Sequence, residues 1–365
     1  QMRLKVHKVG DWFELDGQLQ LDEGLVMDMK TLLELVESSP RRFLPLGEGR
    51  FIALTEALRR RLDEMNVYAD RRGKTVRCHA LAIPVLDGIF DDFTQVNRDS
   101  SWKERVKTFQ KGMTLQPVVP STLQAELRDY QVAGYEWMIR LSSWGAGACL
   151  ADDMGLGKTL QALAVMLERG PKGPTLVIAP TSVCMNWQAE INRFAPTLNP
   201  VLFGGRNREE RIGKLKGMDV LICSYGLLQQ ESELLATAHW HTIVLDEAQA
   251  IKNFETQRAQ AALSLKGDFR LITTGTPIEN HLGEFYTLFD FINPGLLGSR
   301  PQFNERYAIP IEKNGDREAR KRLKKLISPF LLRRIKSQVL DELPPRTDVV
   351  LQVEMSPEET ALYEA

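Results

Sequence analysis

The sequence predicts an α/β fold, in which a parallel sheet with helices on both faces follows a small α+β region. Six short apolar runs recur after residue 123, and a helical stretch separates each from the next: GAGACLA, TLVIAPT, VLFGG, DVLICSY, TIVLDEA and RLITTGT. Near-continuous apolar runs rich in β-branched residues suit strands that are covered on both faces. Before residue 97, apolar and polar residues alternate in short segments, which predicts the smaller α+β region.

Composition bounds the class of protein. A chain of 365 residues is long enough for two or three domains, and its hydrophobic fraction of 43% and charged fraction of 26% are typical of soluble globular proteins. No apolar run approaches the roughly 18 residues of a membrane helix, so no membrane partner is expected. The cysteines never form a CxxC pair, which argues against a zinc site or a disulfide framework and predicts a reducing compartment.

Residues 1–97 are predicted to form an accessory region without a catalytic constellation. DWFELDGQLQLD alternates like a hairpin, MDMKTLLELVESSP predicts a helix stopped by Pro40, and FLPLGEGRFIALT predicts a second hairpin around Gly47 and Gly49. EALRRRLDEM predicts another helix. Residues 98–122 then predict a connecting helix and a proline-rich linker.

The stretch ACLADDMGLGKTLQALAVMLERG joins a predicted strand to a predicted helix through a glycine-rich loop. The backbone N–H groups of such a loop, with the helix dipole behind them, bind phosphate. Lys158 is expected to contact the terminal phosphates, and the Thr159 hydroxyl to ligate Mg²⁺. Asp152 stands where the generic GxxxxGK[ST] pattern has its first glycine. The predicted nucleotide-binding residues of this P-loop are Asp153, Met154, Gly155, Leu156, Gly157, Lys158 and Thr159.

A second element, HTIVLDEAQAIKN, ends an apolar strand in the adjacent carboxylates Asp246 and Glu247. Two such carboxylates repel each other unless a cation or a proton transfer uses them. Asp246 is predicted to hold Mg²⁺ directly or through water, and Glu247 to orient and deprotonate the attacking water. With Lys158, they are the candidate catalytic residues. The alternative is a polar strand end followed by a helix cap.

A third element, RLITTGTPIEN, places hydroxyl groups at the end of another strand, at the same sheet edge: Thr273, Thr274 and Thr276, with Gly275 and Pro277. These hydroxyls could sense the terminal phosphate or bridge to Glu247. The alternative is an ordinary strand-to-turn exit.

The charge is unevenly distributed although the net charge is only −1. Residues 313–336, KNGDREARKRLKKLISPFLLRRIK, hold ten Lys or Arg against two acids. The run is either a solvated helix face or a patch that contacts phosphates.

Seven segments in order resemble the first RecA-like lobe of the Swi/Snf family, within helicase superfamily two: LRDYQVAGYEWM, LADDMGLGKTLQA, LVIAPTSVCMNWQAEI, VLICSYGLL, VLDEAQAIKN, LITTGTPIENHLGEFYTLFDFINPGLLG and FLLRRIKSQVLDELPPRTD. The resemblance covers residues 123–348 and implies a P-loop NTPase fold with a helical protrusion at about 280–340, followed at 349–365 by the start of a link to a second lobe. Asp152 follows the family pattern. Gln249 gives DEAQ where most members have DEAH, which leaves its coupling role open. Residues 1–97 resemble, less specifically, an accessory region of bacterial members.

The resemblance also implies roles for individual residues. Gln131 matches the position that reads adenine, which implies ATP, and Arg128 would assist it. Seven residues would contact the nucleic-acid backbone: Thr181, Ser182, Trp187, Ser224, Tyr225, Arg333 and Arg334. Contacts from hydroxyls and backbone amides would follow a duplex without reading its sequence. The alternative for Trp187 and Tyr225 is a place in the core.

By resemblance, the protein is expected to use ATP to move along double-stranded DNA and remodel protein–DNA complexes, in the bacterial cytoplasm at the nucleoid. The family's second lobe supplies an arginine, and such a residue contributes about 10³- to 10⁵-fold in rate. Both ends of the chain look cut and nothing after Arg334 predicts a second sheet, so the chain alone is expected to bind ATP and hydrolyse it slowly. Alternatives are a strand-separating or RNA-directed helicase, and a nucleotide-dependent module that docks a partner such as RNA polymerase.

Overall fold

The computed structural model describes the following residues: 2–10, 12–22, 25–39, 43–47, 49–72, 75–91, 93, 95–275 and 281–339. They form two hydrophobic cores, a smaller one in the accessory region and a larger one in the rest of the chain. Within these ranges, no helix is both long and apolar enough to cross a membrane.

The accessory region is a mixed α+β unit. Its strands are β1 (Met2–Val9), β2 (Trp12–Asp22), β3 (Leu25–Asp28), β4 (Phe43–Gly47), β5 (Arg50–Ala53), β6 (Ala69–Arg72), β7 (Thr75–His79) and β8 (Gln95–Arg98). Its helices are α1 (Met29–Ser38), α2 (Glu56–Tyr68) and α3 (Ile83–Phe90), and the predicted connecting helix, α4 (Ser100–Thr114), packs against the same core through Trp102. One sheet has the order β6-β7-β2-β1-β8 with β3 paired to β2, and β4 and β5 form a separate hairpin. The pairing of β1 with β8 is parallel and the other pairings are antiparallel.

The predicted helices and the second hairpin are confirmed in the described part of this region, and one prediction is wrong. The hairpin of β4 and β5 and the helix α2 are where the patterns place them. The stretch predicted as a first hairpin, however, is one continuous strand, β2, over its described residues Trp12–Asp22. A Cβ on Gly17 would lie 2.5 Å from Cε of Met29, so this glycine admits α1 onto the sheet instead of forming a turn. The predicted helix stop, Pro40, lies outside the described residues.

The rest of the chain is built on a parallel sheet. Its strands are β9 (Ala148–Leu150), β10 (Thr175–Ala179), β11 (Asn199–Leu202), β12 (Asp219–Ser224), β13 (His239–Asp246), β14 (Lys266–Thr273) and β15 (Leu331–Leu332). Its helices are α5 (Asp129–Ser143), α6 (Lys158–Arg169), α7 (Thr181–Phe194), α8 (Arg208–Gly213), α9 (Tyr225–Gln230), α10 (Ser232–Thr237), α11 (Gln257–Ser264), α12 (Leu282–Ile292), α13 (Arg300–Phe303), α14 (Ile309–Asn314), α15 (Arg317–Ile327) and α16 (Lys336–Val339).

The seven strands have the order β11-β12-β10-β13-β14-β9-β15, and every pairing is parallel. Each residue of β10 and β12 is buried, which requires cover on both faces of the sheet. The six predicted runs are therefore confirmed as strands. Because β13 and β14 lie between the consecutive strands β9 and β10, the chain reverses direction across the sheet there. In open α/β sheets, ligands bind at the carboxyl edge beside such a reversal.

The basic run 313–336 has more than one environment. In α15, Arg322 Nη1 lies 3.3 Å from Glu37 Oε1, and Lys325 Nζ lies 3.2 Å from Glu64 Oε1. Both carboxylates belong to the accessory region. Other cations of the run, namely Lys313, Arg317, Arg320 and Lys324, are exposed. The run is thus partly a contact between the two regions and partly a solvent-exposed basic face.

Candidate active site

The glycine-rich loop connects β9 to α6, as the sequence predicts. Gly155 and Gly157 have φ angles of 83° and 73°, in the left-handed region that glycine adopts most easily. A Cβ on Gly157 would lie 2.3 Å from Nε2 of Gln131, so a larger residue does not fit there. Leu156 is fully buried and anchors the loop, whereas Met154 is 72% exposed.

Lys158 begins α6 and its side chain folds back over the loop. Its Nζ donates to the carbonyl oxygens of Asp152 at 2.8 Å and Asp153 at 3.4 Å. Thr159 follows in the first turn of the helix and is half-buried. The ammonium group, the hydroxyl and the amino end of α6 are therefore side by side.

Gln131 joins the start of α5 to the same loop. Its Nε2 donates to the carbonyl oxygen of Leu156 at 3.2 Å, and Oε1 accepts from the backbone N–H of Arg128 at 2.9 Å. The Tyr130 hydroxyl also donates to the Leu156 carbonyl, at 3.2 Å. The Arg128 side chain is exposed beside this group. The predicted adenine-reading residues therefore lie next to the predicted phosphate-binding loop.

Asp246 ends β13 and its carboxylate is held by three donors. Oδ1 accepts from the Thr273 hydroxyl at 2.7 Å and from the Glu247 N–H at 3.0 Å. Oδ2 accepts from Trp187 Nε1 at 2.8 Å. These contacts fix the direction of the carboxylate. Because each carboxylate oxygen can accept twice, Oδ2 keeps a lone pair for a further partner.

Glu247 has an unusual backbone conformation, and its carboxylate is hydrogen-bonded to a chain of two further side chains. Its φ of 48° and ψ of 54° are left-handed, a conformation that costs a non-glycine residue about 1–3 kcal/mol. Gln249 Nε2 donates to Glu247 Oε2 at 2.8 Å, and Gln249 Oε1 accepts from the Thr274 hydroxyl at 3.1 Å. The bridge predicted from strand-end hydroxyls to Glu247 is therefore present, with Gln249 between them. Thr276 and Pro277 lie outside the described residues.

Three residues predicted to contact nucleic acid, Trp187, Tyr225 and Arg334, have little exposed side-chain surface. Trp187 is 1% exposed and bonded to Asp246, and Tyr225 is 3% exposed with its hydroxyl donating to the Asp246 carbonyl oxygen at 2.8 Å. Burial, together with the charges of Asp246 and Glu247, raises the pKa of Tyr225 well above its ordinary value, so the hydroxyl remains a donor. The core interpretation of these two aromatics is the one observed. The Arg334 side chain is 13% exposed and is paired with the carboxylate of Asp152.

The remaining interface candidates have different surroundings. Ser224 is 9% exposed, and its Oγ caps α9 by accepting from the Leu227 N–H at 3.2 Å. Thr181 and Ser182 are exposed at the start of α7, and Arg333 is exposed on the segment after β15. These last three residues can reach a ligand in solvent without any rearrangement of the core.

Comparisons with known proteins agree with this geometry. The model of the SNF2-related domain family matches residues 130–365. The Bacillus subtilis protein "Putative ATP-dependent helicase/translocase YwqA" is 38% identical over 364 residues, which are 97% of this chain and 37% of that protein. "ISWI chromatin-remodeling complex ATPase CHR11" of Arabidopsis thaliana is 38% identical over 258 residues, 67% of this chain and 24% of that protein. The chain therefore spans well under two thirds of either relative.

A solved structure is similar as well. The SWI2/SNF2 ATPase core of Sulfolobus solfataricus in complex with dsDNA has 40% sequence identity and a TM-score of 0.58, over 68% of this chain and 53% of that one. The family model spans more than half of the sequence, and the parallel sheet has the fold of the SWI2/SNF2 core. The chain belongs to the SNF2-related domain family.

Proposed function

We propose that this chain carries the ATP-binding lobe of a DNA-dependent ATPase that moves along double-stranded DNA and remodels protein–DNA complexes. The observation that carries the proposal is that β9, β14 and β13 are neighbours in the sheet. Their carboxyl ends present Lys158, Thr274, Asp246 and Glu247 at one edge. Support comes from relatives named as ATP-dependent helicases or chromatin-remodelling ATPases, and from a similar ATPase core solved with duplex DNA.

The residues present suit ATP with Mg²⁺. The left-handed glycines keep side chains out of the loop, so its N–H groups and Lys158 can face phosphates. Thr159 and Asp246 offer the oxygen ligands that Mg²⁺ prefers. When bound, Mg²⁺ would neutralise negative charge on the phosphate oxygens. Gln131, assisted by Arg128, would hydrogen-bond the adenine.

Glu247 would act as the general base. The relay through Gln249 and Thr274 holds Oε2 and leaves Oε1 to orient the attacking water and take its proton. The water oxygen then bonds to the terminal phosphorus as the bond to ADP breaks. Among the described residues, one sheet is fully parallel, the seven-stranded sheet that carries this site. We therefore propose that a second RecA-like lobe of the whole protein supplies an arginine, and that this chain alone hydrolyses ATP slowly.

The exposed residues at the carboxyl edge would contact DNA. Thr181 and Ser182 lie at the start of α7, and Arg333 follows the carboxyl end of β15. Hydroxyl, backbone N–H and guanidinium groups bind phosphates without reading bases, which suits a protein that moves along any duplex. Such binding weakens steeply as salt is raised.

The test is ATP hydrolysis by the whole protein with duplex DNA, single-stranded DNA, RNA or no nucleic acid. We expect duplex DNA to stimulate most. Glu247→Gln should lower turnover by about 10²-fold or more, the usual contribution of a general base, while leaving ATP binding intact. Glu255→Gln is the matched control, because Glu255 is in the same lobe with 75% of its side chain exposed.

Other outcomes would select other functions. Strongest stimulation by RNA, or release of single strands from a duplex, would indicate an RNA-directed or strand-separating helicase. ATP binding without hydrolysis in any condition would indicate a nucleotide-dependent binding module. Unchanged turnover in Glu247→Gln would contradict the assignment of the base.

A further inference from the structure

The phosphate-binding loop begins with a fully buried carboxylate, Asp152, which is paired with Arg334. Arg334 Nε donates to Asp152 Oδ1 at 3.0 Å, Nη2 donates to Oδ2, and the Arg334 backbone N–H donates to Oδ1 at 3.1 Å. The guanidinium and the carboxylate therefore meet through two side-chain bonds, an arrangement that fixes geometry as well as charge.

Arg334 also contacts the two helices that flank the loop. Nη2 donates to Gln161 Oε1 in α6 at 2.9 Å, and Nη1 donates to the carbonyl oxygen of Tyr130 in α5. The guanidinium lies 5.1 Å from the centroid of the Tyr130 ring. A Cβ on Gly134 would lie 2.1 Å from Gln161 Oε1 and 2.9 Å from Arg334 Nη2, so the cluster needs glycine there.

Residues 331–336, which we name the strap, lie beside the first residues of the loop and are hydrogen-bonded to them. Ala151 N–H donates to the Leu332 carbonyl at 2.7 Å, and Asp153 N–H donates to the Arg334 carbonyl at 3.0 Å. The Lys336 N–H donates to Asp153 Oδ2 at 3.2 Å. The strap thus contacts each of the first three loop residues, 151–153, through main-chain or side-chain bonds.

We propose that Arg334 is a positioning residue for ATP binding, and that the strap sets the shape of the phosphate-binding loop through Asp152. The proposal rests on the ATP site described above. A buried charge that loses its partner is strongly destabilising, so the loop and the strap cannot separate at low cost. Lys158 Nζ donates to the carbonyl oxygen of Asp152, the residue whose carboxylate Arg334 holds. A shift of Asp152 therefore shifts the lysine that faces the phosphates.

Because the strap contacts the loop that binds ATP, ATP binding and the stability of the strap must affect each other. If the strap stabilises the loop in the shape that binds ATP, then ATP must stabilise the strap by the same free energy. Backbone amides of residues 331–336 are therefore expected to exchange hydrogen more slowly when ATP is bound.

The test uses the whole protein with Mg²⁺ and ATP and compares Arg334→Met, Arg334→Lys, Asp152→Asn and the double variant Arg334→Met with Asp152→Asn. We expect each single variant to weaken ATP binding by about tenfold or more, since displacements of about 1 Å can cost about a hundredfold in rate. Arg334→Lys should rescue only part of the loss because lysine lacks the planar fork. The penalties should not add in the double variant, because the two residues form one contact.

The matched control is Arg169→Met. Arg169 is a buried arginine at the opposite end of α6, where it donates to Thr242 Oγ1 at 3.0 Å and to the His241 carbonyl at 2.8 Å. Its loss should lower the unfolding temperature while leaving ATP affinity within about twofold. Protection of the strap by ATP should persist in Arg169→Met and disappear in Arg334→Met.

Several outcomes would overturn the proposal. ATP affinity that is unchanged in the single variants, penalties that add in the double variant, or an equal loss of affinity in Arg169→Met at equal stability would reduce the pair to a structural contact. Failure of the unmodified protein to bind ATP would instead overturn the proposed function, and this inference with it. Arg334→Lys and Asp152→Asn retain polar atoms at the site and keep the test decisive if Arg334→Met does not fold.

Discussion

The parallel sheet and the larger accessory sheet distribute their polar residues in opposite ways. In the parallel sheet, β10 and β12 are buried along their whole length, and their polar residues, Thr175, Asp219 and Ser224, stand at the strand ends. In the accessory sheet, β1 alternates buried Met2, Leu4 and Val6 with exposed residues, and its polar groups spread along a solvent face. This contrast is expected between parallel and antiparallel sheets. Parallel pairing thus gathers polar chemistry at one edge, whereas the alternating sheet disperses it.

The largest expected effect is the loss of stability when a buried strand residue is shortened to alanine, and it tests this contrast directly. Leu221→Ala and Ile222→Ala change adjacent residues on opposite faces of β12, and both are fully buried or nearly so. Each should lower the free energy of unfolding by about 2–5 kcal/mol. In β1, Leu4→Ala should cost a similar amount, whereas its exposed neighbour Lys5→Ala should stay within about 0.5 kcal/mol.

The measurement is hydrogen exchange read out on individual peptides, which gives the free energy of unfolding of each region separately. A single unfolding curve does not separate the two regions. If the two β12 variants differed as widely as the two β1 variants, the parallel sheet would have only one covered face. The comparison drawn between the sheets would then be wrong.

A smaller effect is expected from Trp187→Phe. The change removes the indole donor to the half-buried carboxylate of Asp246, and a hydrogen bond to a charged group contributes about 1.5–3 kcal/mol. Because Asp246 is a proposed Mg²⁺ ligand, ATP turnover should fall by about tenfold, equivalent to about 1.4 kcal/mol of activation free energy. The measurement is steady-state ATP hydrolysis beside thermal unfolding.

The accessory region offers a matched control for this variant. Trp102 is also fully buried, and its Nε1 donates to Asp87 Oδ1 at 2.7 Å. Trp102→Phe should lower stability to a similar degree and leave ATP turnover unchanged. An equal loss of turnover in both variants would mean that Trp187 acts through general stability alone.

Local patterns in the sequence predict most of the parallel sheet and much of the site. The loop, Lys158, Asp246 and Glu247 stand out because each ends or follows an apolar run. The strand β15 escapes prediction because it has only two residues. The pairing of Asp152 with Arg334 joins residues 182 positions apart, and no local pattern encodes such a partner. The one available signal was Asp152 itself, a carboxylate where the generic loop has glycine.

Buried aromatics show a second limit of sequence reasoning. Trp187 lies on a helix that follows a strand of the parallel sheet, and helical spacing alone does not decide between a core position and an exposed contact. Its role became clear only from the carboxylate it meets, which comes from β13. Likewise, Gln249 differs from the common family pattern, and its place between Thr274 and Glu247 depends on tertiary contacts.

The smallest effect concerns the contact between the two regions. Burial raises the pKa of Glu37, but the hydrogen bond from Arg71 and the charges of Arg71, Arg322 and Arg306 lower it more, so its pKa lies below that of an ordinary glutamate. A carboxyl whose pKa is depressed by folding stabilises the protein above its unfolded pKa, and this contribution is lost as pH falls through the folded value. Since the group is partly exposed, the contribution should be less than about 1 kcal/mol.

Unfolding free energies of the unmodified protein and Glu37→Gln, compared well above pH 4.5 and well below it, measure this contribution. The difference between the two proteins should shrink at the lower pH, because the protonated carboxyl no longer pairs with arginine. Arg322→Gln should diminish the same pH dependence, since Arg322 Nη1 lies 3.3 Å from Glu37 Oε1 and supplies part of the attraction. A difference that is constant across this range would show that the charge of Glu37 does not hold α15 to the accessory region, which would leave the Lys325–Glu64 ion pair and apolar packing to join them.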